Sequence, residues 1–305
     1  MSASQPLHIR IATRGSDLAL RQAVGVKEGL EHLGHSAELV AVEARGDSDL
    51  RPFRELSGQG FFTQAVQEAL LEGRAELAVH SYKDLPSAAT PGFEVAAVPT
   101  RADARDALVI RPEHFDLDAE QLPLRPGARV GTGAVRRSRQ LQKLRGDLVI
   151  ADMRGNVPTR IDRLRAGTVD AVVLAVAGLE RLGLKLDDLE VVALHPQTFV
   201  PAPAQGALAL EIRRHDYALA QALTDLHDPV GYRPVAAERG LMSMLRGGCQ
   251  LALGAHATLR NGLVTLNAWY EGLSVVVEHP SSEGAALLAF EALGRPDPVT
   301  VVEGL

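Results

Sequence analysis

Apolar Leu7, Ile9 and Ile11 alternate with His8 and Arg10, a period of two that predicts a β-strand ending at Thr13-Arg14-Gly15-Ser16. The period then becomes helical. Ser16 stands at the N-cap position, Asp17 falls in the first turn, and Leu20, Ala23, Val24 and Leu30 share one side. A second strand is expected over 38–44, and a helix over 61–72 from Phe62, Ala65, Val66, Ala69 and Leu70. A buried strand over 76–79 runs into His80-Ser81-Tyr82-Lys83-Asp84-Leu85-Pro86. The rhythm restarts after the charged stretch 99–105, with a Val130-Gly131-Thr132-Gly133 strand end opening a helix near Ala134, a strand over 148–151, and a helix capped by Asn156 with Pro158 in its first turn. A buried strand over 171–174 then leads into a helix over 175–181. The Pro- and Ala-rich stretch 199–206 precedes a strand over 208–212.

Strands alternating with helices at this spacing imply parallel sheets. Two crossings about a hundred residues apart imply one lobe inserted within another. After Pro229 the pattern changes to a helix over 234–245, short alternating strands over 252–258, 264–270 and 275–279, and a closing helix over 283–293. The expected fold class is therefore α/β: two lobes with mainly parallel sheets, plus a small C-terminal α+β domain with an antiparallel sheet. Lobe 1 takes 1–100 and 201–226, lobe 2 takes 105–198, and the C-terminal domain takes 229–305.

Charge and composition narrow the function classes. The net charge of −6 argues against a general nucleic-acid or anionic-membrane surface. The longest apolar run, 171–179, is too short to span a bilayer, and the first residues lack the apolar stretch of a secretion signal, so a soluble cytoplasmic protein is expected. Against this background a few charges stand out. Arg14 lies where a strand meets a helix N-terminus, a natural carboxylate site. Lys83, one of four lysines, and Asp84 lie at the carboxyl end of a buried strand, where open α/β sheets place ligands. Arg136 and Arg137 occupy the first turn of a helix, an unfavourable place for cations that calls for a neutralising anion unless the face is simply solvated. The polar stretch 45–60 has no usable periodicity and reads as a loop, plausibly a lid.

Cys249 is the only cysteine, set in Leu245-Arg246-Gly247-Gly248-Cys249-Gln250. It can make no internal disulfide, and the histidines show no metal spacing around it, so no metal is expected. A packed thiol and an exposed nucleophile are the two readings left. The bare glycines before it allow close approach to the sulfur, and Arg246 favours thiolate.

The stretches IATRGS, RGD, the Gly-rich loop before Phe61, AVHSYKDLP, GTGAVRR, RGNVPTR, AVAGLERLG, AQGALALE and GGCQLALG occur in one order over essentially the whole chain. In that order they resemble the porphobilinogen deaminase, or hydroxymethylbilane synthase, family. The resemblance implies two periplasmic-binding-protein-like lobes and a dipyrromethane cofactor held covalently through Cys249. It implies a transferase that deaminates four porphobilinogen molecules, joins them head to tail on that primer, and releases hydroxymethylbilane with water in tetrapyrrole and heme biosynthesis. By the same likeness Asp84 is catalytic; Ser16, Lys83, Thr132, Arg136, Arg137, Gln205 and Gly206 hold the cofactor; Arg14, Arg154, Arg160 and Arg181 hold substrate carboxylates; and the protein is a monomer with no nucleic-acid or membrane partner. The chain departs from the family pattern at Glu55, Gln59 and Gln64, where lysines are common, at Gly133 and Ala134, where serines are frequent, and at Asp17 and Ala204, which replace a proline and a glycine. A two-lobed binder of an anionic small molecule, without catalysis, is the rival reading of the same plan. A cysteine hydrolase needs a histidine base near Cys249, for which His256 alone is close in sequence; a nucleic-acid binder lacks aromatic platforms.

Overall fold

In a computed structural model, which describes residues 6–43, 63–246 and 251–294, the chain builds three sheets. The 45–60 loop, the Gly247–Gln250 stretch with Cys249, Glu55 and Gln59 all lie outside the described residues.

The first sheet holds β1 (His8–Arg14), β2 (Ser36–Val42), β3 (Leu77–Ser81), β4 (Phe93–Ala97) and β10 (Leu208–Arg213) in the order β2-β1-β3-β10-β4. Four of these run the same way and β10 runs against them, since it is antiparallel to both β3 and β4. The second sheet repeats the plan. It holds β5 (Asp106–Ile110), β6 (Arg129–Gly131), β7 (Val149–Ala151), β8 (Ala171–Ala175) and β9 (Glu190–Ala193) in the order β7-β6-β8-β5-β9, with β5 alone reversed. The mainly parallel character expected from the sequence is thus present in both sheets. The reversed strand is in each case the first one laid down after a crossing.

Both sheets are covered on both faces, which is why their inner strands read as near-continuous apolar runs. On the first, Ile9, Ile11, Leu77 and Val79 pack under Ala23, Val26 and Leu30 of α1 (Asp17–His32), while Ala12 and Ala78 face Val66 and Leu70 of α2 (Gln64–Leu71). On the second, Leu108, Ile110 and Val130 meet Leu141 of α3 (Val135–Leu144), and Val109, Val172 and Leu174 meet Ile161 and Leu164 of α4 (Val157–Arg165) and Leu179 of α5 (Val176–Leu182). Asn156 caps α4, accepting from Thr159 N at 2.9 Å. A short α6 (Tyr217–Ala222) follows β10.

The third sheet, β11 (Leu253–Arg260), β12 (Leu263–Tyr270) and β13 (Leu273–His279), is antiparallel. One face packs on α7 (Pro229–Met244) and α8 (Ser282–Ala292). The other seats on the second crossing, where Ala255 N donates to Pro201 O at 2.9 Å and Trp269 packs on Val200. Helix α7 starts five residues before the expected Pro234. Asp228 caps it by accepting from Gly231 N, Pro229 takes the first position, and Pro234 lies inside the first turns. The true start signal was the Asp-Pro pair and not the second proline. Among the described residues no helix is long and apolar enough to cross a membrane.

Candidate active site

The carboxyl ends of β1 and β3 converge on the N-terminus of α1 and form a recess of about 100 Å³ lined by Arg14, Ser16, Thr63, His80, Lys83 and Asp84, among others. Lys83 and Asp84 sit on a single 3₁₀ turn, Tyr82–Asp84, where β3 ends. That turn is held by its backbone. Tyr82 N donates to Ala207 O, Leu85 N to Tyr82 O, and Arg239 lies 4.6 Å from the Tyr82 ring centre and donates to Leu85 O. Both functional side chains of the turn are half-buried, and neither is needed to close it. Ser16 occupies the N-cap position of α1, but its hydroxyl makes no capping bond.

From Lys83 a buried polar chain runs into the second sheet. Lys83 Nζ donates to Gln205 Oε1 at 3.1 Å; Gln205 Nε2 donates to Asp106 Oδ1 at 2.9 Å and to Ala104 O; Arg137 Nη2 donates to the same Asp106 oxygen at 2.6 Å, and Arg136 Nη2 lies 2.8 Å from the other. The reading of Arg136 and Arg137 as a solvated face is therefore overturned: they are 5% and 7% exposed, and both pair with Asp106 of the chain itself. Thr132, also buried, accepts from Ala134 N at 3.2 Å just before α3.

Arg160, half-buried with its Nε on Gly155 O, is pulled down to about 10 by burial first and then by the neighbouring positive charges of Arg137 and Arg154, with Asp152 opposing. Arg137 and Arg154 thus lie near enough to Arg160 for their positive charges to act on it. Arg181 is placed differently. Its Nη2 donates to Gly206 O at 2.8 Å, tying α5 to the second crossing, and burial lowers its pKa. Gly206 has a positive φ of 87°, and a Cβ there would lie 2.4 Å from Ala102 O, so the two crossings touch where no side chain fits.

Of the departures from the family pattern, Gln64 bonds Glu68 on the exposed side of α2. A Cβ at Gly133 would sit 2.9 Å from Met153 O, so a serine cannot enter unless that backbone moves. Ala204 has a left-handed φ of 60°, the conformation that favours glycine.

Three residues at the junction escaped the sequence reading. Asp106 is one, and Arg101 and Glu238 are the others. Glu238 is fully buried and receives Arg101 Nη1 and Nη2 at 2.8 and 2.9 Å, Ala204 N at 2.7 Å and Ala257 N at 2.7 Å. Arg101 Nε also reaches Gln205 O at 2.8 Å. One carboxylate thereby joins both crossings to the third sheet.

Residues 9–221 match the family model described as "Porphobilinogen deaminase, dipyromethane cofactor binding domain". A porphobilinogen deaminase of Mycolicibacterium paratuberculosis is 44% identical over 288 residues, covering 94% of this chain and 89% of that protein. The chain belongs to the porphobilinogen deaminase family. Two further deaminases agree: that of Corynebacterium efficiens is 46% identical over 82% of this chain and 81% of its own, and that of Syntrophobacter fumaroxidans 43% over 85% and 82%. Among solved structures, an ancestral cationic amino acid solute binding protein aligns at 12% identity and a TM-score of 0.46, covering 72% of this chain and 87% of that one. Members of the family are enzymes that build hydroxymethylbilane from porphobilinogen with a dipyrromethane cofactor, which sets the solute-binder reading aside.

The site's donor set fits that cofactor chemically. A group bearing carboxylates and pyrrole N–H needs guanidinium and ammonium donors together with a spare acceptor. The network supplies Arg136, Arg137 and Lys83, and the Asp84 carboxylate lines the recess beside Lys83.

Proposed function

We propose that this chain carries out the family's reaction with Asp84 as its catalytic carboxylate, Ser16, Lys83, Thr132, Arg136, Arg137, Gln205 and Gly206 at the cofactor, Cys249 as the attachment point, and Arg14, Arg154, Arg160 and Arg181 on substrate carboxylates. The observation that carries this reading is the unbroken chain of contacts from Lys83 beside Asp84, through Gln205 and Asp106, to Arg137 and Arg136. It supports reading groups from both mainly parallel sheets as one site. The division into lobes at 1–100 with 201–226, 105–198 and 229–305 is supported by the three sheets. The reading of a cytoplasmic monomer rests on the family likeness and on the lone thiol.

When bound, the dipyrromethane supplies the nucleophilic carbon to which units are added. The chain's own residues do the rest. Arginines grip the acetate and propionate groups of porphobilinogen in fixed orientation, for which a forked guanidinium is suited. Asp84 accepts the pyrrole N–H and stabilises the positive charge that spreads onto that nitrogen as ammonia leaves, and it is placed to move a proton there.

The intact mass of the denatured protein, measured beside Cys249→Ser, tests the assignment. Wild type is expected to carry added mass equal to two deaminated porphobilinogen units, and the variant none. A wild type at bare polypeptide mass, from a host that makes porphobilinogen, would refute it.

Lys83 gives a pH signature. Burial pushes its ammonium down to about 8; Asp84 draws it up, and Arg137 adds to the fall. Below pH 8 the group is charged in folded and unfolded chain alike. Between about 8 and the ordinary 10.5 the unfolded chain holds a proton that the folded one lacks, so this group's contribution to stability rises with pH in that window. Binding runs the other way: loading of the cofactor onto the bare chain is expected to weaken as pH rises through 8, and Lys83→Arg to move that limb upward. Cofactor loading, followed by intact mass, that is flat from pH 7 to about 9.5 would show that Lys83 holds no cofactor carboxylate.

A further inference from the structure

Asp106 opens strand β5 immediately after the first crossing and is fully buried. Its two oxygens are treated unequally. Oδ1 takes Arg137 Nη2 at 2.6 Å, Arg137 Nε at 3.2 Å and Gln205 Nε2 at 2.9 Å. Oδ2 faces Arg136 Nη2 alone, at 2.8 Å.

Each guanidinium has a second anchor. Arg137 Nη1 donates to Val173 O at 3.0 Å and Arg136 Nη1 to Val200 O at 2.7 Å, so one is fastened to β8 and the other to the second crossing. The carboxylate between them fixes their separation. Burial alone raises the pKa of Asp106, but Arg136 and Arg137 outweigh it and hold the group well below the usual carboxylate range, ionised at any working pH.

The charge count does not close. Two guanidiniums share one carboxylate, while Lys83, joined to it through Gln205, has the Asp84 carboxylate beside it, so the surplus charge is the second guanidinium. Two buried guanidiniums on one carboxylate leave a positive charge that only hydrogen bonds or a further anion can offset. Here the imbalance sits where a carboxylate-rich group is to bind.

We propose that Asp106 is the positioning residue of the Arg136–Arg137 pair: a resident carboxylate that aims both guanidiniums before the cofactor arrives and leaves the pair one negative charge short, a deficit that an incoming carboxylate fills. The inference rests on the proposed reading of the two arginines as carboxylate holders.

The test compares full-length wild type and Asp106→Asn by thermal midpoint, in sodium acetate against sodium chloride at equal ionic strength. In chloride the variant is expected to melt about 5–10 °C lower, the effect of stranding two buried cations. Acetate is expected to restore most of that loss with a saturable dependence, while wild type responds little. Adding Arg136→Met to Asp106→Asn should remove the acetate response, and Asp106→Glu should recover the midpoint without acetate. A variant that melts like wild type, or melts lower with no difference between acetate and chloride, overturns the proposal. If Asp106→Asn does not accumulate folded, its refolding from urea decides: recovery in acetate only supports the role, and failure in both salts overturns it. The functional reading fails separately. Full adduct mass and an unchanged KM in Arg136→Met alone would remove Arg136 from the cofactor and substrate while leaving the acetate result to judge Asp106.

Discussion

Asp84→Asn is expected to fold, to keep the mass of its covalent adduct, and to turn over porphobilinogen about 10²–10⁴-fold more slowly. Folding survives because the 3₁₀ turn is closed by Tyr82 N on Ala207 O, by Leu85 N on Tyr82 O and by Arg239 over the Tyr82 ring, none of which uses the Asp84 side chain. An amide has nearly the same shape and can still accept a pyrrole N–H, so binding is largely kept. What it lacks is the negative charge opposite the cation that develops as ammonia departs, and at a half-buried position that charge counts for more than in bulk solvent. The decisive measurement is the single-turnover rate on protein whose adduct has been verified by mass. A near-normal rate would remove Asp84 from the chemistry. A slow rate accompanied by lost adduct would move its role to cofactor loading.

The largest effect on stability is expected at Glu238. Replacing it with alanine strands the Arg101 guanidinium and the backbone N–H groups of Ala204 and Ala257, all of which now point at a fully buried carboxylate. Breaking a buried pair by removing one partner destabilises by about 3–5 kcal/mol, of the same order as a domain's whole margin. The urea midpoint of Glu238→Ala should therefore fall steeply, with the C-terminal sheet loosening from the second crossing, since Glu238 links Ala257 N of that sheet to Ala204 N of the crossing. Glu238→Gln keeps one acceptor and should fall less. An unchanged midpoint in the alanine variant would mean that the junction is held by the apolar seat of Trp269 on Val200 instead.

Much of this architecture is legible in the sequence because it rests on local signals. The alternation at Leu7, Ile9 and Ile11, the Asn156 cap and the run at 171–174 each report a neighbour within a few residues. Strands β4 and β9 were not picked out, being short and without a usable period, and β5 is buried on both faces so that Ala107 to Ile110 show no alternation. The same distinction divides the site. Lys83 and Asp84 were found by their place at a strand end. Asp106 was not, because its partner Arg137 is 31 positions away, and Arg101 and Glu238 are 137 apart. One clue was present. A lone acid heading a wholly apolar strand has no local reason to be there, and α3 begins with two cations and no acid in its first turn. Each anomaly is the other's explanation.

The reversed strands also dictate an order of assembly during synthesis. Strand β10 sits between β3 and β4, so the first sheet cannot join β4 to its other members until residues 208–213 have left the ribosome. Every strand of the second sheet lies between residues 106 and 193. The later-synthesised sheet therefore completes first, while β3 waits with an open edge and the apolar side chains of Leu77 and Val79 without their final cover. The interval during which nascent chains most need protection from one another falls between translation of residue 97 and residue 213.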